Sequence, residues 1–454
     1  MKSLLIRYFP LIVLVVVGAY LRTSNLAAVT TFEWDQARDV GVMSEITQGK
    51  LTLIGPVVRG EGSFFLGPLY YYLGAFLLLL ASGDPLILVI FAVVLDLLVG
   101  IAIYLMLSRK SVWQAIFATS VWMSSLYLVK IAHVPWNVSL LELWMMCMIL
   151  FFNNFAKHNW ARYAFFLFAG FSTHIHLSLV GMTLVFLLGS YELIKKMSRK
   201  ELIFAALLLL LPLVPLIIFD LRHDFLESSL LLQFLKGGQN NRQGIFEFLG
   251  IFITKLDYTL SEFLLSSRVT WLGIIAMFIA LIQVFRKKAT ADVKLLGGLL
   301  LATPAMLLLY RDPGFAEYYL MPMFIPLLLL LSSGIAMITL RSTVLYLGLA
   351  ACALVMSFKY FDPSPVGFSL AAKTELAEYI AEFASSVDLR LEAPPGRRDG
   401  ISYLLARLGV KITPTSPHLA IISETGTVIS EPQGYQAQAS QTFGSLQVAI
   451  FAVQ

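Results

Sequence analysis

Between Phe32 and Asp39 the chain sets Glu33, Asp35 and Asp39 around one guanidinium, Arg38, shortly after its first membrane-length apolar run. Asp35 and Asp39 are four residues apart, so on a helix both carboxylates share a face, and Arg38 neighbours Asp35 at the three-residue spacing. A carboxylate in a low-dielectric cleft beside a membrane can act as a general base. An adjacent arginine keeps it ionised and can grip phosphate through two parallel N–H bonds. The plainer reading is a solvated loop helix held by ordinary ion pairs. His174 and His176 lie at a turn between two apolar runs, where they can donate to a phosphate. A zinc site would need a third protein ligand that is not visible, so neither a metal nor another cofactor is expected. His133 and Asn137 mark the preceding turn, and Arg59 lies in the first loop. Arg222 and His223 end a span within Asp220-Leu221-Arg222-His223-Asp224, while Arg311, Glu317 and Tyr318 surround a short loop. Arginines at the outer interface run against the positive-inside trend. The phosphate of a lipid-linked substrate is one reason for them, and snorkelling to lipid headgroups is the other.

The elements that position these residues are membrane spans. Of 454 residues, 58% are hydrophobic and only 13% charged, against about 25% charged in soluble domains. The formal charge of +5 is distributed over short loops, a pattern of membrane topology and not of nucleic-acid binding. Cys147 and Cys352 sit within apolar runs, so no disulfide framework is expected. The first run, Leu4 to Leu21, is longer than a signal-peptide core and is read as an uncleaved helix.

Further runs of spanning length are Leu86–Leu107, Val112–Val129, Val138–Phe152, Leu177–Ile194, Leu202–Phe219, Thr270–Phe285, Lys294–Tyr310, Tyr318–Ile338 and Thr343–Phe358, with Arg162–Thr173 as a short but necessary one. Leu66 to Leu80 is ambiguous. If it does not cross, Arg109/Lys110, Lys157/Arg162, Lys195 to Lys200, Arg286 to Lys288 and Arg341 all share the side of Lys2 and Arg7. The expectation is therefore a polytopic all-α membrane protein of about eleven spans plus a juxtamembrane helix at 66–81. The N-terminus is cytoplasmic, the first outer loop covers 22–65, and a long outer loop covers 220–269 with a mobile polar stretch from Gly237 to Gly244. All the candidate site residues then share the extracytoplasmic face.

After Phe358 the composition shifts, and 359–454 reads as a small extracytoplasmic α/β domain. Helical periodicity covers Leu370–Ser385 and Ile401–Leu408. Val410–Ile412, Leu419–Ile422 and Leu446–Val453 read as strands, and Pro394-Pro395-Gly396 as a turn. It shows no Gly-rich nucleotide loop or metal-ligand spacing, and a scaffolding or acceptor-positioning role is expected of it.

Asp35-Gln36-Ala37-Arg38, Gly55-Pro56 and Phe65-Leu66-Gly67-Pro68-Leu69-Tyr70-Tyr71-Tyr72 together resemble the first external loop of GT-C class glycosyltransferases, in particular bacterial relatives of protein O-mannosyltransferases and aminoarabinose transferases. Tyr318-Tyr319-Leu320-Met321-Pro322 resembles their Tyr-x-Leu-Pro segment, and Asp220-Leu221-Arg222-His223 is also similar to the bacterial branch. The resemblance implies a GT-C-like catalytic domain over 1–358, Asp35 as catalytic base and Arg38 as a contact to the donor phosphate. Gln36 stands where the usual residue is Glu, and His133 to Asn137 where metal-dependent relatives carry Asp-x-Asp.

The function expected is transfer of a sugar from a polyprenyl-phosphate donor to a hydroxyl of a lipid, glycan or protein acceptor, on the extracytoplasmic face of a bacterial inner membrane and with inversion. Two rivals stand beside it. One is a glycan polymerase or ligase. The other is a transporter or flippase of lipid-linked sugar, for which Asp96 and Glu142 are the chief charges within spans.

Overall fold

The structure, a computed structural model, describes residues 2–58, 63–237, 244–287, 289–338 and 342–453. Arg59 and the run 238–243 lie outside them. Most of the chain is a bundle of apolar helices, and a small strand-containing domain follows at the C-terminal end.

Among the described residues six helices are long and apolar enough to cross a membrane: Leu86–Leu107, Asn137–Asn154, Arg199–Arg222, Ala291–Tyr310, Glu317–Ile335 and Ser342–Tyr360. Val112–Ser124 and Leu126–Ala132, bent by 51°, make a seventh if they form one broken span. The eleven-span reading adds Lys2–Thr23, Asn159–Ile175, Ser178–Gly189 with its continuation, and Leu272–Ile282. The protein is a multi-pass membrane protein.

The break at Ser125 shows how a bend is tolerated where water is excluded. Ser125 adopts an extended conformation, closes one helix and caps the next. The backbone groups this releases find side chains from elsewhere: Ser266 and Ser357 donate to the Ser124 carbonyl, and Ser266 Oγ accepts the Leu126 N–H at 3.0 Å. A second polar knot fixes the first helix. Arg22 is fully buried, pairs with Asp96 at 2.5 Å and donates to the carbonyls of Gly18, Trp122 and Met123. Arg22 thus belongs to the bundle, not to the open loop its position suggested.

The helix Leu69–Leu80 has 12 residues, about 18 Å at 1.5 Å per residue, well short of a bilayer core of about 30 Å. The segment 220–269, expected as a long loop, contains the helices Leu226–Gly237 and Ile245–Leu265. The second buries Phe248, Phe252, Leu256, Leu260 and Phe263 on one face, and its Lys255 donates to the Pro313 and Phe315 carbonyls.

In the C-terminal domain β3 (Ser386–Leu391), β4 (Lys411–Ile412), β5 (His418–Glu424), β6 (Tyr435–Phe443) and β7 (Leu446–Val453) form one sheet in the order β4-β3-β5-β7-β6, numbered after a hairpin of β1 (Val57–Val58) and β2 (Phe64–Phe65) in the first loop. β3 runs parallel to β4 and β5, and β5, β7 and β6 pair antiparallel. The expected helices appear as Leu370–Phe383 and Ile401–Arg407. β3 and β6 escaped the sequence reading: β3 carries charges at alternate positions, and β6 is a polar edge strand with little buried surface.

The domain is zipped onto the start of the first loop. Val366 N–H donates to Ala28 O and Leu370 N–H to Thr30 O, with a bridge between Thr31 and Ser369. Lys373, wholly buried, donates its ammonium to the carbonyls of Phe32, Gly396 (3.1 Å) and Asp399 (2.8 Å).

Candidate active site

The site begins where the helix Trp34–Thr47 starts. Glu33 is its N-cap residue, and Gln36 accepts the Glu33 N–H at 3.0 Å. Gln36, the departure from the resembled motif, therefore works here as a capping amide. One turn in, Arg38 is held between two carboxylates. It donates to Asp35 Oδ1 at 2.9 Å and, through Nε and Nη2, to Asp39 Oδ1 at 2.9 and 2.6 Å.

The two carboxylates differ in access. Asp39 is 2% exposed and also accepts the Tyr71 hydroxyl at 2.9 Å, so it is committed to holding neighbours. Asp35 is one-third exposed, at 33%, and faces a pocket. Burial pushes Asp39 up to about 6 even though Arg38 and Tyr71 favour its charge. Burial also opposes the charge on Arg38, but Asp39, Tyr71 and Asp35 outweigh it and the guanidinium stays cationic.

That pocket, about 110 Å³, is walled by Asp35, Arg38 and Asp39, by Pro56 and β1, and by Trp136, Asn137, His176, Tyr318 and Tyr319. Five segments distant in sequence converge there. Asn137 donates to the Ile175 carbonyl at 2.6 Å, which ties two turns together. His176 accepts the Ser178 N–H at Nδ1, 3.2 Å away, so in the neutral ring the proton sits on Nε2. Burial pushes His176 down to about 4 and keeps it neutral at physiological pH. Its ring lies edge-on to Tyr318 and Tyr319, and Trp136 packs edge-on against Tyr318 at 4.8 Å.

The buried Trp136 Nε1–H has no partner among the described residues. It is a spare donor, and it was missed in the sequence although it adjoins Asn137. Tyr71 and Tyr319 were missed as site residues too, because nothing in the sequence says which faces of their helices turn toward the first loop.

Other expected site residues stand apart from this pocket. His174 accepts the Leu69 N–H at Nδ1 (3.2 Å) and donates from Nε2 to Pro212 O (2.6 Å), so it clamps three segments behind the pocket wall. His133 bonds Arg22 O at 2.9 Å in a separate hollow with Lys130 and Tyr360. Glu33 caps its helix near Gly396. Arg222 and His223 are exposed at the end of their helix, with His223 stacked on Phe219. Arg311 closes a helix in the left-handed conformation, and Glu317 is exposed at the start of a 3-10 turn. Arg59 lies outside the described residues. Among the described residues no three His, Cys, Asp or Glu side chains converge as a metal site.

The two Gly-Pro pairs of the first loop have a steric reason. Gly55 N–H donates to Leu66 O, and a Cβ on Gly55 would lie 2.2 Å from the Gly67 carbonyl. A Cβ on Gly67 would lie 2.3 Å from the His174 ring. Gly67→Ala is expected to cost about 1–3 kcal/mol through overpacking, read as a lower thermal midpoint of the purified protein. An unchanged midpoint would mean that the ring moves aside freely.

No family model matches the chain, and no curated protein matches it. Solved structures do. ArnT from Cupriavidus metallidurans bound to undecaprenyl phosphate superposes with a TM-score of 0.64 at 12% identity, covering 98% of both chains. Its apo state gives 0.63 at 12% identity over 97% of both. The arabinofuranosyltransferase AftD from Mycobacteria gives 0.48 at 12% identity, over 98% of this chain and 41% of its own. The fold is ArnT-like, as the first-loop resemblance implies, and the likeness extends through the C-terminal domain.

Proposed function

We propose that the protein is a glycosyltransferase that moves a sugar from a polyprenyl-phosphate donor to an acceptor hydroxyl at the pocket around Asp35. The observation that carries the reading is the division of labour between the carboxylates, with Asp39 buried on Arg38 and Tyr71 while Asp35 faces the pocket. The ArnT fold, solved in another protein with undecaprenyl phosphate bound, supports a donor of that class.

In this mechanism Asp35 takes the proton of the acceptor hydroxyl as its oxygen attacks the anomeric carbon. The bond from that carbon to the phosphate oxygen breaks, and its electron pair leaves with the phosphate. Arg38 offsets that charge, and the N–H groups of Trp136 and His176 are placed to donate to the oxygens of donor or acceptor. A single displacement inverts the anomeric centre. Arg222 and Arg311 lie outside the pocket, so Arg38→Lys should weaken donor use more than the same change at either of them.

The test is transfer of radiolabelled sugar from purified polyprenyl-phosphate-sugar by the reconstituted protein. Failure with every polyprenyl-linked sugar tried, with donor binding absent as well, would remove the reading. Glu142 is the observation that favours a transporter, since it is buried with both carboxylate oxygens unpartnered among the described residues. Movement of labelled lipid-linked sugar across vesicles without transfer would support that alternative.

The pocket is placed on the extracytoplasmic face of a bacterial inner membrane, with the N-terminus in the cytoplasm and Leu69–Leu80 not crossing. Single cysteines at Arg109 to Ser111 are then expected to be shielded from an impermeant reagent in intact cells, while cysteines in the C-terminal domain label. The reverse pattern would invert the topology.

The pH profile follows from Asp39. Below about 6 it takes up a proton and loosens its hold on Arg38, so activity should fall as pH drops through that range. Tyr71→Phe removes a hydrogen bond that favours the carboxylate, and should move this acid limb upward. A limb that stays in place would separate Asp39 from the pH dependence.

A further inference from the structure

A second hollow, about 230 Å³, lies between the helix Ile245–Leu265 and the turn Arg268–Trp271 that leads into the helix Leu272–Ile282, with Thr254, Asp257, Tyr258, Arg268 and Trp271 on its walls. It shares no lining residue with the pocket around Asp35. The Arg268 guanidinium lies 3.7 Å from the centre of the Tyr258 ring. Stacking of this kind fixes the plane of the group and leaves its N–H edges open. Among the described residues Arg268 has no ion-pair or hydrogen-bond partner.

The acid nearby is already engaged. Asp257 accepts the N–H of Trp271 at 2.6 Å and of Ile274 at 3.2 Å, capping the second helix. Trp271 itself holds a left-handed conformation, φ 68°, and its side chain is 60% exposed. Strain of this kind in a non-glycine residue is tolerated where a side chain must be aimed. Below Trp271 the same helix exposes an apolar stripe of Ile275, Phe278 and Ile282.

We infer that this groove seats one membrane lipid by its phosphate, with Arg268 gripping the headgroup, Trp271 flanking it and an acyl chain lying along Ile275, Phe278 and Ile282. The two parts of the groove are complementary to the two parts of such a lipid. An unneutralised, pre-oriented guanidinium fits an anionic phosphate, and the adjoining exposed stripe fits hydrocarbon, so a soluble anion would use only half of the surface. The site is independent of the transfer reaction. On the proposed orientation that lipid comes from the outer leaflet.

The experiment is native mass spectrometry of the full-length protein in non-ionic detergent, titrated with phosphatidylglycerol or with a galactosyl diacylglycerol of the same chains, which has no phosphate. Inorganic phosphate serves as competitor. The wild type is expected to retain one phosphatidylglycerol with about tenfold preference, and Arg268→Gln to lose that preference, the size expected for a charge-assisted pair. Tyr258→Leu, which removes the ring that orients the guanidinium, should weaken it as well and decides the matter if Arg268→Gln does not fold. Equal retention of the two lipids, or a preference unchanged in the variants, would overturn the proposal. Displacement of the lipid by millimolar inorganic phosphate would assign the site to a soluble anion instead.

Discussion

Asp35→Asn is expected to lower sugar transfer by about 10²–10⁴-fold, the range for loss of a positioned general base. Asparagine keeps the shape and can still accept from Arg38, but it cannot take up the acceptor's proton. Donor binding and monodispersity should therefore survive. Glu33→Gln should cost far less, because Glu33 caps its helix away from the pocket. Asp39→Asn should fall between them, since it unsettles Arg38 and Tyr71 without removing the base. Initial rates of transfer for the purified variants, with donor binding measured in parallel, order the three. Near-normal transfer by Asp35→Asn would remove it as base, and the reverse order would hand that role to Asp39.

The second large effect lies outside the pocket. Lys373→Met is expected to uncouple the C-terminal domain from the first loop, because the carbonyls of Phe32, Gly396 and Asp399 lose their common donor within a buried space. Each buried polar group left unpaired costs about 1–3 kcal/mol, and Phe32 lies three residues before Asp35. Burial pushes the Lys373 amine down to about 8, so at neutral pH it is still mostly the charged donor these carbonyls require. Thermal unfolding should shift down by many degrees, and transfer should fall with it. A variant that unfolds and transfers like the wild type would show that the zipper of Val366, Leu370 and Thr31 holds the domain unaided.

Much of this was legible in the sequence because membrane spans announce themselves by length and the first loop by its charge. Asp35, Arg38 and Asp39 do meet on one helix face, as the spacing required. The pocket brings Asn137, His176 and Tyr318 to them. The histidine pair could not be resolved from residue type, since the two directions follow from where the helix ends: His174 lies in its last turn and His176 is the extended residue that closes it. His176 looks into the pocket and His174 away from it. Trp136 was invisible for a similar reason, as an indole beside an apolar span looks like packing until its N–H is found without an acceptor. The helix Ile245–Leu265 is hidden in the sequence because Glu247, Lys255, Asp257 and Glu262 interrupt its apolar run, and their partners, such as the Phe315 carbonyl for Lys255 and the Trp271 N–H for Asp257, lie on other segments.

The helix Arg199–Arg222 has a different lesson. Only 17% of its most apolar window is buried inside the protein, so much of its apolar surface is left for lipid tails. Lipid asks only that the side chains be hydrophobic, and exchanges among Leu, Ile, Val and Phe there are nearly neutral. Surfaces of this kind let substitutions accumulate without altering the bundle. They are one reason two chains can superpose from end to end at only 12% identity, since a face of this kind constrains the class of a side chain more than its identity.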